Sequence, residues 1–393
     1  MIKYIFITLS LCVSLAAYAV INGSAVTVSG TTLCNNGTVE RTVAGTMTTT
    51  CGAGWSVGAL PEAQILFTEN FDAQADWTSD NLVTVSKYSV PANWTVGRAD
   101  PLWSPAGSDP SGKHPTSEIL SSNSTKAFGN TGKSYVMWRE SYDPGWNKFN
   151  SEAIIMKTIP DTTELYMSVM ITFSNEMVSS YYSDGLGQSK VFRVLYIDPD
   201  TILGDPNNYF DFFGETNSPK ALFDITGGTT YSIRNFLGIY ARGDNDLRSI
   251  ITGIPSGFSI QGGGDLDLSY SQGGTNGAQI IDYKNGGIVN TVPVMMDQVF
   301  GNEMQWVKVA MYVKLNSAPG VADGEIKQWI DDVQISNLGG IPWIRSDQDM
   351  RSFNTIGIGG NDFFRLYPNV DKYQDWYAID NVIVRNSIPL ELQ

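Results

Sequence analysis

The chain has 393 residues, enough for one large domain with a small appendage or for two domains. Its formal net charge of −15 argues against nucleic acid and anionic membrane surfaces as partners, because both repel an acidic protein. Charged residues make up only 17% while glycine and aromatic residues are plentiful, which favours sheet punctuated by glycine turns over helix.

The chain opens with Met1-Ile-Lys3, a short positive segment, followed by an apolar run over residues 4–15 and then Ala17-Tyr18-Ala19. That order is the order of a secretory signal peptide with its cleavage site, so residues 1–19 are expected to be removed and the mature chain secreted, periplasmic or extracellular. No later stretch reaches the roughly 20 apolar residues of a spanning helix, and no membrane span is expected. Residues 20–62 form a Thr-rich segment with short strands around 26–29, 38–43 and 46–50, and residues 52–61 read as a linker. Cys34 and Cys51 are the two cysteines beyond the signal. In an exported chain a disulfide between them is the expected pairing, and a zinc site would lack partners because His114 is the only histidine. The bridge would staple a β-hairpin too small to own a core.

The main domain is expected over residues 63–393. Strand candidates lie at 65–72, 134–139, 153–157, 165–173, 190–197, 209–213, 232–241, 279–283, 307–315, 325–335, 353–358 and 377–384, with Gly, Asn, Asp and Pro turns between them. Many short strands without a 3.6-residue period predict an all-β, two-sheet antiparallel sandwich. Alternation assigns the faces. Val307, Val309, Met311, Val313 and Leu315 are expected inward, as are Leu165, Met167, Val169, Ile171 and Phe173. Over 232–242 the inward set is Ile233, Asn235, Leu237, Ile239 and Ala241, which leaves Arg234, Phe236, Tyr240 and Arg242 on the other face.

Faces carrying Arg, Lys and Tyr together are richer than an ordinary solvated face. The expected site is one concave sheet face lined by Arg193, Arg234, Tyr240, Arg242, Lys308, Tyr312 and Lys314. Flat aromatics stack on sugar faces, and long cationic donors meet hydroxyls or carboxylates. If the chain cuts an acidic sugar polymer, a cation must neutralise the carboxylate and a base must take the adjacent proton. Tyr312 with Lys308 beside it supplies those residue types, and His114, in a Pro/Ser/Gly loop, is the other candidate base. The plainer reading of the same strand is an outward face solvated by its lysines.

Particular motifs point further. Glu69-Asn-Phe-Asp72 with Trp77, Trp306-Val-Lys-Val-Ala-Met-Tyr-Val-Lys-Leu-Asn316, Trp329-Ile-Asp-Asp-Val333 and Tyr377-Ala-Ile-Asp-Asn-Val-Ile-Val384 resemble the first and last strands of concanavalin A-like jelly rolls. Such domains occur in secreted polysaccharide lyases and in laminin G-like, non-catalytic glycan binders. The resemblance implies a jelly-roll sandwich, an extracellular polysaccharide as partner and a structural Ca²⁺ held near Asp72 and Asp380. It leaves open a carbohydrate-binding protein, a lyase acting by β-elimination on an acidic polysaccharide, and a structural surface or appendage protein. The Glu-x-Asp-x-x-Glu strand motif of retaining glucanases is missing, which disfavours a hydrolase of that kind.

Overall fold

In the computed structural model, residues 62–99, 115–138, 151–178, 188–198, 219–228, 231–240, 305–344, 346–363 and 375–393 are described, with short strands at 25–26, 32–34, 38–41, 47–50, 58–59, 259–261, 267–271, 280–281 and 293–294. The chain divides into two compact units, Met1–Gln64 with Ile388–Gln393, and Ile65–Ser387. The first holds strands β1 (Ala25–Val26), β2 (Thr32–Cys34) and β5 (Gly58–Ala59) in one sheet, and a hairpin of β3 (Thr38–Arg41) and β4 (Met47–Thr50). Cys34 closes β2, but Cys51 lies outside the described residues, and so do the disulfide and the signal segment.

The second unit is an antiparallel sandwich of two large sheets. One has nine strands: β6 (Ile65–Glu69), β7 (Trp77–Thr78), β9 (Ser117–Ile119), β10 (Tyr135–Trp138), β12 (Glu164–Phe173), β20 (Val307–Lys314), β21 (Gly324–Ile330), β22 (Val333–Ile341) and β24 (Trp376–Arg385). Their order is β22-β21-β20-β12-β24-β10-β9-β7, with β6 also on β24. The other has eight: β8 (Val96–Ala99), β11 (Ser151–Thr162), β13 (Gln188–Leu195), β14 (Lys220–Gly228), β15 (Tyr231–Tyr240), β16 (Ser259–Gln261), β17 (Asp267–Ser271) and β23 (Phe353–Phe363), in the order β16-β17-β15-β14-β13-β23-β11-β8. Among the described residues, the two-residue strands β18 (Ile280–Ile281) and β19 (Pro293–Val294) pair with each other.

The core lies between the large sheets, and strand alternation explains it. Leu165, Met167, Val169, Ile171 and Phe173 of β12 meet Val307, Val309, Met311 and Val313 of β20 in one buried cluster. The eight-stranded sheet contributes Phe192, Val194, Ala221, Phe223, Ile225, Ile356 and Ile358. Phe192 and Phe223 stack with centroids 4.8 Å apart, a geometry that contributes about 1 kcal/mol beyond its area. The expected inward residues of 165–173 and 307–315 are therefore all core. In β15 the ladder sets Asn235, Leu237 and Ile239 opposite the core residues Ile225, Phe223 and Ala221.

One expected strand is two. Residues 325–335 are interrupted by Asp331 and Asp332, both at positive φ (47° and 64°), which make the two-residue turn between β21 and β22. Right-handed strand twist favours such a turn, and Asp tolerates the left-handed conformation better than most residues. Asp331 Oδ1 also accepts the Lys308 N–H at 3.0 Å, tying the turn to β20.

Candidate functional site

The outer face of the eight-stranded sheet carries an unusual set of buried polar groups. A bulge in β13 creates it. Lys190 stands opposite Asp224 and Phe192 opposite Phe223, so Val191 is the extra residue. Lys190 and Arg193, three apart, therefore share the outer face, which plain alternation would not allow. Arg193 is flanked by Leu222 on β14 and Gly357 on β23, and only 1% of it is exposed. Its guanidinium donates from Nη2 to the Gly359 carbonyl at 2.8 Å. Glycine makes room for it: a Cβ on Gly357 would sit 3.3 Å from Arg193 Cγ, and one on Gly360 only 2.5 Å from Nη2. The long cation thus lies flat on the backbone.

Lys190, Lys220 and Asp224 are buried on the same face. Toward β11 and β8 the face becomes aliphatic, with Val96, Ile154, Met156, Leu195 and Ile197 packed together. Asn354 pins that side by accepting the Ile197 N–H at 2.9 Å and donating to its carbonyl at 2.8 Å. The ladder sets Arg234 opposite Thr226 and Tyr240 opposite Lys220. Arg242 and His114 lie outside the described residues.

Tyr312, Lys308 and Lys314 do not join this face. They belong to β20, in the other sheet, so the single face expected from the sequence is split in two. Period-two alternation fixes the face of a strand but not the sheet it enters. Tyr312 is buried and donates to Glu164 Oε2 at 2.5 Å. Burial first, then the Glu164 hydrogen bond and charge, and then Glu325, push its pKa well above the ordinary tyrosine value. The hydroxyl keeps its proton at neutral pH, the opposite of what a base needs. Lys308 pairs with Asp332 at 2.7 Å, and Lys314 and Lys327 pair with Glu325 at 3.5 and 2.9 Å. The Lys327 ammonium also lies 5.6 Å from the Tyr312 ring centre. These lysines are engaged in a ladder of surface charges.

Asp380 and Asp72 stand near the join of the first and last strands. Asp380 is buried and accepts the N–H groups of Phe128 and Asn381 at 3.0 and 2.7 Å. Burial, opposed by those two amides and reinforced by the charges of Asp72 and Glu69, pushes its pKa up to about 7. Asp72 accepts from Lys133 N and Asn70 Nδ2. Ca²⁺ takes six to eight oxygens. Among the described residues no group of three or more His, Cys, Asp or Glu side chains is placed to hold a metal.

Reasoning from sequence passed over Lys190, Lys220 and Asp224. The signal for the Arg193 cradle was present in Gly357-Ile-Gly-Gly360, since glycines inside a strand mark close approach by another group.

No protein-family model matches the chain, and no curated protein is similar to it in sequence. Similar solved structures include a double mutant of alginate lyase Aly36B in complex with an alginate tetrasaccharide (13% identity, 84% of this chain and 99% of that one, TM-score 0.42). Others are the marine PL-14 alginate lyase from Aplysia kurodai (10%, 82% and 99%, TM-score 0.37) and the endo-1,3-β-glucanase from Streptomyces sioyaensis (12%, 84% and 98%, TM-score 0.39). Likeness at these TM-scores assigns no activity to the chain.

Proposed function

We propose that the chain recognises an acidic extracellular polysaccharide through the outer face of the eight-stranded sheet. The observation that carries this reading is the gathering of Lys190, Arg193 and Lys220 on one face, in excess over Asp224 opposite Lys190, with the Arg193 guanidinium held flat against a glycine strip. These side chains are buried, so contact requires the polymer to uncover the face; a planar cation fixed in advance then meets a carboxylate with little ordering cost, and the aliphatic patch beside it suits the C–H faces of sugar rings. A second reading, β-elimination on the bound polymer, draws on Tyr240 standing opposite Lys220 in the ladder. A base beside a carboxylate-neutralising cation is what that reaction requires.

The test titrates the chain with alginate, pectate, glucuronan and a glycosaminoglycan while following the ultraviolet absorbance of unsaturated product. At least one acidic polymer is expected to bind, and Arg193→Lys, which keeps the charge but loses the fork, is expected to weaken it about tenfold. Absorbance that rises in the parent and stays flat in Tyr240→Phe establishes the lyase reading. If no acidic polymer binds, or if Arg193→Lys binds as the parent does, the proposal is wrong.

A further inference from the structure

Where β6 ends and β24 passes Asn381, the nine-stranded sheet carries an open depression of about 420 Å³. Thr68, Glu69, Asn70, Gln74, Asn93 and Asn381 supply its polar lining, and Val382 and Ile383 add apolar surface. No Lys, Arg or His is among the residues that line it.

The wall is tied down by short-range bonds. Gln74 is buried, donates to Glu69 Oε2 at 2.5 Å and to the Ala92 carbonyl at 2.9 Å, and accepts the Ala92 N–H at 2.8 Å. Glu69 Oε1 accepts the Phe71 N–H at 2.7 Å. By contrast, the side-chain amides of Asn93 and Asn381 make no hydrogen bond among the described residues. Both residues hold left-handed backbone, with φ of 67° and 46°. Each amide offers two N–H donors and a carbonyl acceptor.

A sugar hydroxyl both donates and accepts, so paired amides beside a carboxylate match it. A uronate or sulfate would meet Glu69 with no cation to offset it. The volume is in the range of small-ligand sites. We infer that this depression binds a neutral sugar unit, at a place separate from the cationic face of the eight-stranded sheet.

Isothermal titration of the full chain made in bacteria, with cello-, xylo-, manno- and laminari-oligosaccharides as probes, tests this. Glycine adopts positive φ without strain, so Asn93→Gly with Asn381→Gly removes both amides and spares the backbone. Asn93→Asp with Asn381→Asp is the second variant, which keeps side-chain size and removes the donors. A neutral oligosaccharide is expected to bind the parent, and both double variants are expected to bind it about tenfold more weakly or worse, with melting unchanged in the glycine pair. Arg193→Lys is expected to leave neutral binding untouched, so failure of the acidic-polymer reading would not carry this one with it. Neutral binding that is undiminished in both double variants overturns the inference, as does a parent that binds none of the probes.

Discussion

At Tyr312 the hydroxyl is committed to Glu164 inside a wall of ion pairs, so its loss should be felt in folding and not in ligand handling. Tyr312→Phe is expected to lower stability by about 1 kcal/mol, because it deletes a charge-assisted hydrogen bond and leaves Glu164 short of a donor. A denaturant melt measures this, and polysaccharide binding should be unchanged. Asp380 makes a pH-dependent contribution of the less common sign. Burial raises its folded pKa to about 7, above the ordinary aspartate value of 3.8, so folding favours the protonated carboxyl. That stabilisation is full below about pH 4 and is lost as pH rises toward 7. Asp380→Asn cannot ionise, so its melting temperature should fall less than the parent's between pH 4 and 7. Equal slopes for the two proteins would show that burial does not raise this carboxyl.

The β21–β22 hairpin turns on two aspartates with different tasks. Asp331 supplies an acceptor for Lys308 N, whereas Asp332 contributes a surface ion pair to Lys308. Asp332→Gly should therefore be neutral or slightly stabilising, since glycine relieves the positive φ and exposed pairs contribute little. Asp331→Ala should cost about 1–2 kcal/mol through the lost acceptor and the strained backbone. Thermal melts of the two single variants compare them, and equal effects would show that the turn is held by pairing alone. The same hairpin marks how far sequence reading reaches. The faces of 165–173 and 307–315 were legible because the core needs an apolar residue at every second position. The Asp331–Asp332 turn was passed over because two acids between apolar residues also fit a strand. β14 was passed over because both of its faces are buried, so Leu222 and Asp224 break the apolar–polar rhythm. At the site, Arg193, Arg234 and Tyr240 were placed in one sheet, but Tyr312, Lys308 and Lys314 belonged to the other. A one-residue bulge put Lys190 beside Arg193, and no periodic pattern announces a bulge.

For the whole molecule, a net charge of −15 surrounds a face that gathers three cations. Beyond a Debye length, about 10 Å at 0.1 M salt, an acidic polymer meets the repulsive total charge, and only on uncovering the face does it meet the buried Lys190, Arg193 and Lys220. Raising salt from about 10 mM to 0.1 M should speed association with an acidic polysaccharide, the reverse of the trend for a basic protein. Stopped-flow rates measured across that range decide it, and a steady fall would mean that the cationic face governs even the approach. The pairing of β6 with β24 has a consequence of another kind. Val382 partners Glu69, and Val384 partners Phe67, so the first strand of the sandwich is completed by the last. A chain emerging from a ribosome reaches that partner only when almost all of the sandwich is out. Closure of so long a loop sets folding late and makes it slow, and until then β6 waits as an unpaired edge open to association with other chains.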